Sequence, residues 1–216
     1  MKKKLCLAAL ISFLLIFNSC LGLSLDITMN KDGSGRMVME YRISQMLENM
    51  GAFDGNESMP AIPLSREDWT KAFERNNGVK LVSYSSKKDK QDTIINVTLD
   101  FKDEAALLSL LDPFGEKVSV KQKDGSGTLD ITLLDDSISF SEDEISLTRM
   151  LMEGYNFSIS FQAPGNSALI ITDSKGRTIP NPTAAAVVLT GRKVSFSTEM
   201  TSIFEFKNGL GLKFTW

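Results

Sequence analysis

Residues 21–44 read LGLSLDITMNKDGSGRMVMEYRIS, and apolar residues alternate with small or polar residues on both sides of a central turn. The alternation predicts two half-buried β-strands, because successive side chains of a strand point to opposite faces of a sheet. The Asp32-Gly33 pair between them is typical of a hairpin turn. The stretch therefore predicts an antiparallel β-hairpin at the start of a folded domain.

Further hairpins and short helices are predicted along the rest of the chain. Alternating or apolar stretches with turn signals recur at three places: 79–101, 117–134 and 157–216. Helix starts are indicated by three capping patterns: Ser65 with Asp68, Asp103, and Ser141 with Glu144. We therefore predict a single α+β domain over residues 20–216, with a large, mainly antiparallel sheet built from hairpins and three or four short helices packed against it.

The pentapeptide KDGSG occurs twice, at 31–35 and at 123–127, each time between predicted strands. An internal duplication is one explanation. The sequences that flank the two copies do not match, which favours two independent uses of a good turn.

The first 19 residues, MKKKLCLAALISFLLIFNS, have the layout of a bacterial export signal: three lysines, then an apolar run from Leu5 to Phe17. This run is shorter than the roughly 20 residues that a membrane-spanning helix needs. Small or polar residues then lead to Cys20, and Phe17-Asn18-Ser19-Cys20 resembles a loose bacterial lipobox. We predict a lipoprotein signal peptide at 1–19 and attachment of lipid, including palmitate, to Cys20. The alternative is an ordinary secretory signal in which Cys20 is incidental.

The cysteine count supports lipid attachment. Cys6 and Cys20 are the two cysteines, and Cys6 lies in the removed segment, so the exported domain has no internal disulfide. A strand begins one residue after Cys20, which predicts that the sheet lies close to the membrane. The alternative is that residues 21–23 fray and serve as a tether.

The composition excludes several functional classes. Loss of the three signal lysines reduces the 24 basic residues to 21 against 27 acidic residues, a net charge of about −6. Without a basic stripe, no nucleic-acid partner is expected. The absence of histidine excludes His-based catalysis and His-ligated zinc, and no Gly-x-Ser-x-Gly motif is present. We expect no catalytic residues, no cofactor and no metal, and we interpret acidic clusters such as 142–144 as helix starts.

Met37, Met39 and Tyr41 share one face of the second strand. Methionine adapts to irregular apolar partners, including ligands, so these three residues are a candidate apolar ligand face. Packing within the protein's own core is the alternative.

The opening hairpin LDITMNKDGSGRMVMEY and the hairpins after it resemble the LppM-like family of bacterial envelope lipoproteins, and similar proteins occur in spirochaetes. The resemblance implies an α+β domain outside a membrane, with lipid or glycolipid binding and no catalytic residues. Many members carry a C-terminal transmembrane helix, whereas this sequence ends in a predicted strand.

The sequence thus predicts a non-enzymatic lipoprotein of the bacterial cell envelope, held to the inner or the outer membrane by lipid on Cys20. The first hypothesis for its domain is binding of a lipid or another apolar ligand. The second is a structural or protein-interaction role with no ligand cavity.

Overall fold

The computed structural model describes residues 21–45, 48, 63–74, 78–89, 92–112, 117–136, 141–180, 182 and 184–216. The predicted signal peptide 1–19 and Cys20 lie outside these residues. Within the described ranges there are eleven strands: β1 Leu21–Met29, β2 Gly35–Ser44, β3 Val79–Asp89, β4 Asp92–Phe101, β5 Val118–Lys123, β6 Ser126–Leu134, β7 Asn156–Gln162, β8 Ala168–Thr172, β9 Ala185–Thr190, β10 Lys193–Glu199 and β11 Leu210–Thr215. The same ranges hold three α-helices and a 3₁₀ helix: α1 Arg66–Glu74, α2 Glu104–Leu111, α3 Glu142–Met152 and 3₁₀ Met200–Glu205.

The strands form two sheets. A seven-stranded sheet has the order β3-β4-β2-β1-β7-β10-β9, and a four-stranded sheet has the order β5-β6-β11-β8. Every pairing is antiparallel except that of β1 with β7. The predicted α+β class is confirmed. The division into two sheets and the parallel pair are features that the sequence patterns do not predict. The parallel pair is possible because a hairpin leaves one edge of β1 free for a strand from far along the chain.

The position of β1 follows from these pairings. It occupies the middle of the seven-stranded sheet, between β2 and β7. Its alternation has the predicted effect, because Leu25, Ile27 and Met29 are buried whereas the residues between them are more accessible. The first strand of the domain is therefore held on both sides.

A shared core joins the two sheets. The ring of Phe161 on β7 lies 5.4 Å from that of Phe214 on β11 and 5.0 Å from that of Trp216. The largest fully buried side chains are apolar residues from both sheets and from two helices: Phe161, Phe196, Phe214, Ile27, Met37, Ile43, Ile95, Leu99, Leu107, Leu129, Met152 and Ile159.

The two KDGSG copies form different turns. In the second copy Lys123 pairs with Ser126, and both Asp124 and Gly125 have positive φ, as a two-residue type I′ hairpin requires. In the first copy Met29 pairs with Gly35, which leaves a longer loop closed by a hydrogen bond from Asn30 N to Ser34 O of 2.7 Å. The register of the flanking strands, not the pentapeptide, determines the turn.

The three predicted helix starts are confirmed. At the start of α1, Ser65 N donates to Asp68 Oδ2 and Asp68 N donates to Ser65 Oγ. Asp103 Oδ1 accepts from Ala106 N over 2.8 Å at α2. Ser141 and Glu144 form a capping box at α3.

The two edges of the large sheet differ. β3 carries exposed lysines and has a bulge between Leu81 and Ser83, features that protect an edge from further pairing. β9 reads AAVVLT, has a regular register with β10 and leaves the side chain of Leu189 63% exposed. The β9 edge thus lacks the protection that β3 has.

Candidate functional site

The end of the large sheet at which β1 starts is held tightly, and we call it the Leu21 end. Leu21 already pairs with Ile43 of β2. Tyr155 packs over the next residue, Gly22, such that a Cβ on Gly22 would lie 3.4 Å from Tyr155 Cδ1. The backbone is therefore fixed in the first two residues after Cys20.

Two further bonds fix Tyr155. Its hydroxyl donates to Asp92 Oδ1 over 2.7 Å, and its carbonyl oxygen accepts from Met200 N over 3.0 Å. Asp92 in turn lies 3.8 Å from Arg42 Nη1 on β2. The Leu21 end thus joins the start of β1 to the segment before β7 and to the 3₁₀ helix.

The candidate apolar face lies on β2, as the alternation predicts. Met37 is fully buried, Tyr41 is 3% exposed and Met39 is partly buried against the core. The neighbouring strands β1 and β4 place Ile27 and Leu99 directly beside Met37. The structure therefore brings the three predicted residues together on the core side of the sheet, and their role as a ligand face stays a prediction.

Helix α1 covers part of this face. Trp69 Nε1 donates to the Tyr41 hydroxyl over 3.1 Å, and the Trp69 ring lies 5.4 Å from that of Phe73. The Tyr41 hydroxyl donates to the carbonyl oxygen of Pro63. Tyr84 on β3 repeats this arrangement, because its hydroxyl donates to the carbonyl oxygen of Leu64 over 2.5 Å. Two tyrosines thus hold the segment that leads into α1.

Burial of Tyr41 raises the pKa of its phenol above the ordinary range. The group is neutral at physiological pH and uses its hydroxyl as both donor and acceptor. Its chemistry is therefore that of a positioning group between a strand and a helix.

The pairing of Tyr41 with Trp69 could not be read from the sequence. The spacing of Trp69 and Phe73, four residues apart after a capping pattern, indicates a helix with an apolar face. It does not indicate which strand that face covers.

Carboxylates in the acidic stretches 135–136 and 142–144 have structural partners. At α3, hydrogen bonds from the backbone and side chain of Ser141 lower the pKa of Glu144. Asp136 lies 3.4 Å from Lys175 Nζ. Among the side chains that the structure describes, no three Cys, Asp or Glu residues come together in a group that could hold a metal ion.

None of the helices in the described part of the chain is long and apolar enough to cross a membrane.

Comparison with known proteins gives no family assignment. No protein-family model and no curated protein matches the chain. One similar solved structure is the NMR structure of the folded domain of LppM from Mycobacterium tuberculosis, with 12% identity, 91% of this chain and 89% of that chain covered, and a TM-score of 0.40. Another is a mutant M1 zinc metallopeptidase from Deinococcus radiodurans, with 9% identity, 90% of this chain but 42% of that chain covered, and a TM-score of 0.31. At these TM-scores, the likenesses assign neither a family nor a function to the chain.

Proposed function

We propose that this chain is a non-enzymatic lipoprotein of the bacterial envelope, anchored through lipid on Cys20, and that its domain takes up a lipid or another apolar ligand against Met37, Met39 and Tyr41. The observation that carries the proposal is the start of β1. A strand paired from Leu21 onward leaves no tether, so an acylated Cys20 keeps the domain next to its bilayer.

The anchor is supported by chain chemistry. Two or three acyl chains on one cysteine hold a protein firmly, whereas one chain holds it marginally. Consecutive Cα atoms are about 3.8 Å apart, so the lipid leaves the chain within one residue of the folded sheet. A ligand that moves between bilayer and domain then crosses little water.

The ligand site is proposed between β2 and α1. Met39 is the accessible member of the apolar face, since it is only partly buried whereas Met37 and Tyr41 are closed off. α1 has nine residues, and the Tyr41 and Tyr84 hydroxyls hold the segment before it. Displacement of this short helix would remove Trp69 from Tyr41 and extend the accessible surface from Met39 to Tyr41.

A structural or protein-interaction lipoprotein is the second candidate. The burial of Met37 and Tyr41 favours it, because side chains that are covered by the protein itself need no ligand. The two candidates share the anchor and differ in whether a lipid binds in addition to the acyl chains on Cys20.

Native mass spectrometry of the full chain, purified from its own envelope in mild detergent, tests the ligand. The first candidate predicts a bound lipid beyond the mass of the acylated protein, and Met39→Ser should reduce its occupancy. Val38→Ser is the matched control, because Val38 is 40% exposed on the opposite face of β2. A wild-type protein without bound lipid would exclude the first candidate and leave the second.

Metabolic labelling tests the anchor separately. Cys20→Ser should abolish incorporation of palmitate and partition into detergent. Continued labelling of this variant would show that the assignment of Cys20 is wrong, whatever the ligand experiment gives.

A further inference from the structure

The segment that leads to the Leu21 end carries an exposed methionine. Met150 is 74% exposed, the highest value among the large apolar side chains that the structure describes as exposed. It lies in the last turn of α3, which ends at Met152 and leads through Gly154 to Tyr155. Tyr155 is the residue that packs over Gly22. Met150 is thus five residues along the chain from a residue in contact with the start of β1.

The last turn of α3 is fixed at this end by the 3₁₀ helix. Arg149 Nη2 lies 3.8 Å from Glu205 Oε1, and the 3₁₀ helix follows β10 directly at Met200. Met200 N donates to Tyr155 O. The position of Met150 near the Leu21 end therefore follows from two contacts with the 3₁₀ helix, one made by Arg149 within α3 and one by Tyr155 after it.

The charges around this end have both signs. Leu21 pairs with Ile43 of β2, Ile43 with Thr93 of β4, and Thr93 with Lys88 of β3. Lys88 is therefore at the same level of the sheet as Leu21, and its side chain is exposed. Glu199 and Glu205 lie on the opposite flank. Arg149, next to Met150, pairs with Glu205, so the second flank is not uniformly acidic either. Apolar contact is therefore the interaction that this end can offer to a bilayer of either charge.

We propose that the Leu21 end lies on the bilayer surface, with the side chain of Met150 inserted at the boundary between head groups and acyl chains. The inference rests on the proposed acylation of Cys20 and adds an orientation to it. A lipid surface is the occupant, because acyl chains that leave the chain next to Leu21 draw this end of the sheet toward lipid. The large sheet then stands with β1 running away from the membrane.

Site-directed spin labelling of the full, mature lipoprotein tests this orientation. Acylation occupies the thiol of Cys20 and signal removal takes away Cys6, so a label on Met150→Cys is the single nitroxide. The protein is reconstituted into phosphatidylcholine vesicles, with and without phosphatidylglycerol. Collision rates of the nitroxide with oxygen and with a water-soluble nickel chelate are then compared.

Two variants serve as controls. Leu189→Cys replaces an apolar side chain of similar exposure, but Leu189 is level with Ile27, roughly 20 Å along the strand direction from Leu21. Lys31→Cys labels an exposed residue in the turn at the far end of β1.

The expected result is an oxygen-to-nickel collision ratio at position 150 that is several-fold above those at positions 189 and 31, with or without phosphatidylglycerol. Equal ratios at 150 and 189, in protein whose mass shows acylated Cys20, would overturn the orientation and leave the anchor in place. Protein without acyl chains on Cys20 would overturn both the anchor and the orientation that rests on it.

Discussion

Replacing Tyr41 by Phe removes one hydroxyl that serves two partners in the core. The Trp69 indole N–H loses its acceptor, and the Pro63 carbonyl oxygen loses the donor on Tyr41. A buried donor left unsatisfied costs about 1–3 kcal/mol, and loss of an ordinary hydrogen bond costs about 0.5–1.5 kcal/mol. Tyr41 and Trp69 are both buried, so we expect Tyr41→Phe to lower the free energy of unfolding by about 2–4 kcal/mol.

Urea denaturation followed by tryptophan fluorescence measures this change. All variants are compared in the same Cys20→Ser background, and an unchanged m-value would show that the loss is one of stability. Tyr84→Phe is the matched control, because the Tyr84 hydroxyl donates to a single carbonyl oxygen in a partly buried setting. We expect this control to lose about 1 kcal/mol.

Equal losses for Tyr41→Phe and Tyr84→Phe would refute the reasoning, since the Trp69 N–H would then have no special dependence on Tyr41. A double-mutant cycle with Trp69→Phe isolates the bond between the two side chains. A coupling energy near zero in that cycle would contradict the contact itself.

Three further predictions concern other parts of the fold. Burial raises the pKa of Tyr41 in the folded state, so the phenol loses its proton at a lower pH in the unfolded chain than in the folded one. Stability should therefore fall as the pH rises above about 10, the ordinary tyrosine pKa. Tyr41→Phe should flatten this fall in a denaturation series between neutral and alkaline pH. Asp103→Ala should cost about 1 kcal/mol through loss of the α2 cap, with Asp103→Asn close to wild type in the same denaturation assay. Leu189→Lys should suppress concentration-dependent association in sedimentation experiments, since a charge on an exposed apolar edge strand opposes further pairing. If the wild type associates and the Leu189→Lys variant associates equally, the contact between molecules is not at β9.

Local features of this fold are readable from the sequence because they depend on neighbouring residues. Alternation places Leu25 and Ile27 on one face of a strand, and a serine with an acidic residue three positions later starts α3. The hairpin β1–β2 follows from the alternation on both sides of a short turn sequence. These inferences need no knowledge of distant segments.

Pairings between distant segments could not be predicted in this way. The parallel partner of β1 is β7, and the segment 156–162 shows an alternation that would suit several positions in a sheet. The same limit applies to the candidate site. Alternation places Met37 and Tyr41 on one face of β2, but the bond to Trp69 depends on where α1 docks.

The two turns formed by KDGSG show that a local motif does not by itself determine the conformation of a turn. Asp124 takes positive φ where Lys123 and Ser126 pair, whereas the corresponding Asp32 uses its carboxylate to accept from Ser34 N. An identical pentapeptide thus adopts the conformation that its flanking strands permit.

The parallel pairing of β1 with β7 has a consequence for the order in which the chain matures. Residues 21–101 are synthesised before residues 156–162 and contain four adjacent strands in the order β3-β4-β2-β1. One side of β1 then presents free backbone groups until residues 156–162 arrive, and pairing over such a sequence separation is slow. This transient open edge is where a chaperone would act, and substitutions that weaken β7 should lengthen its lifetime more than substitutions in β3.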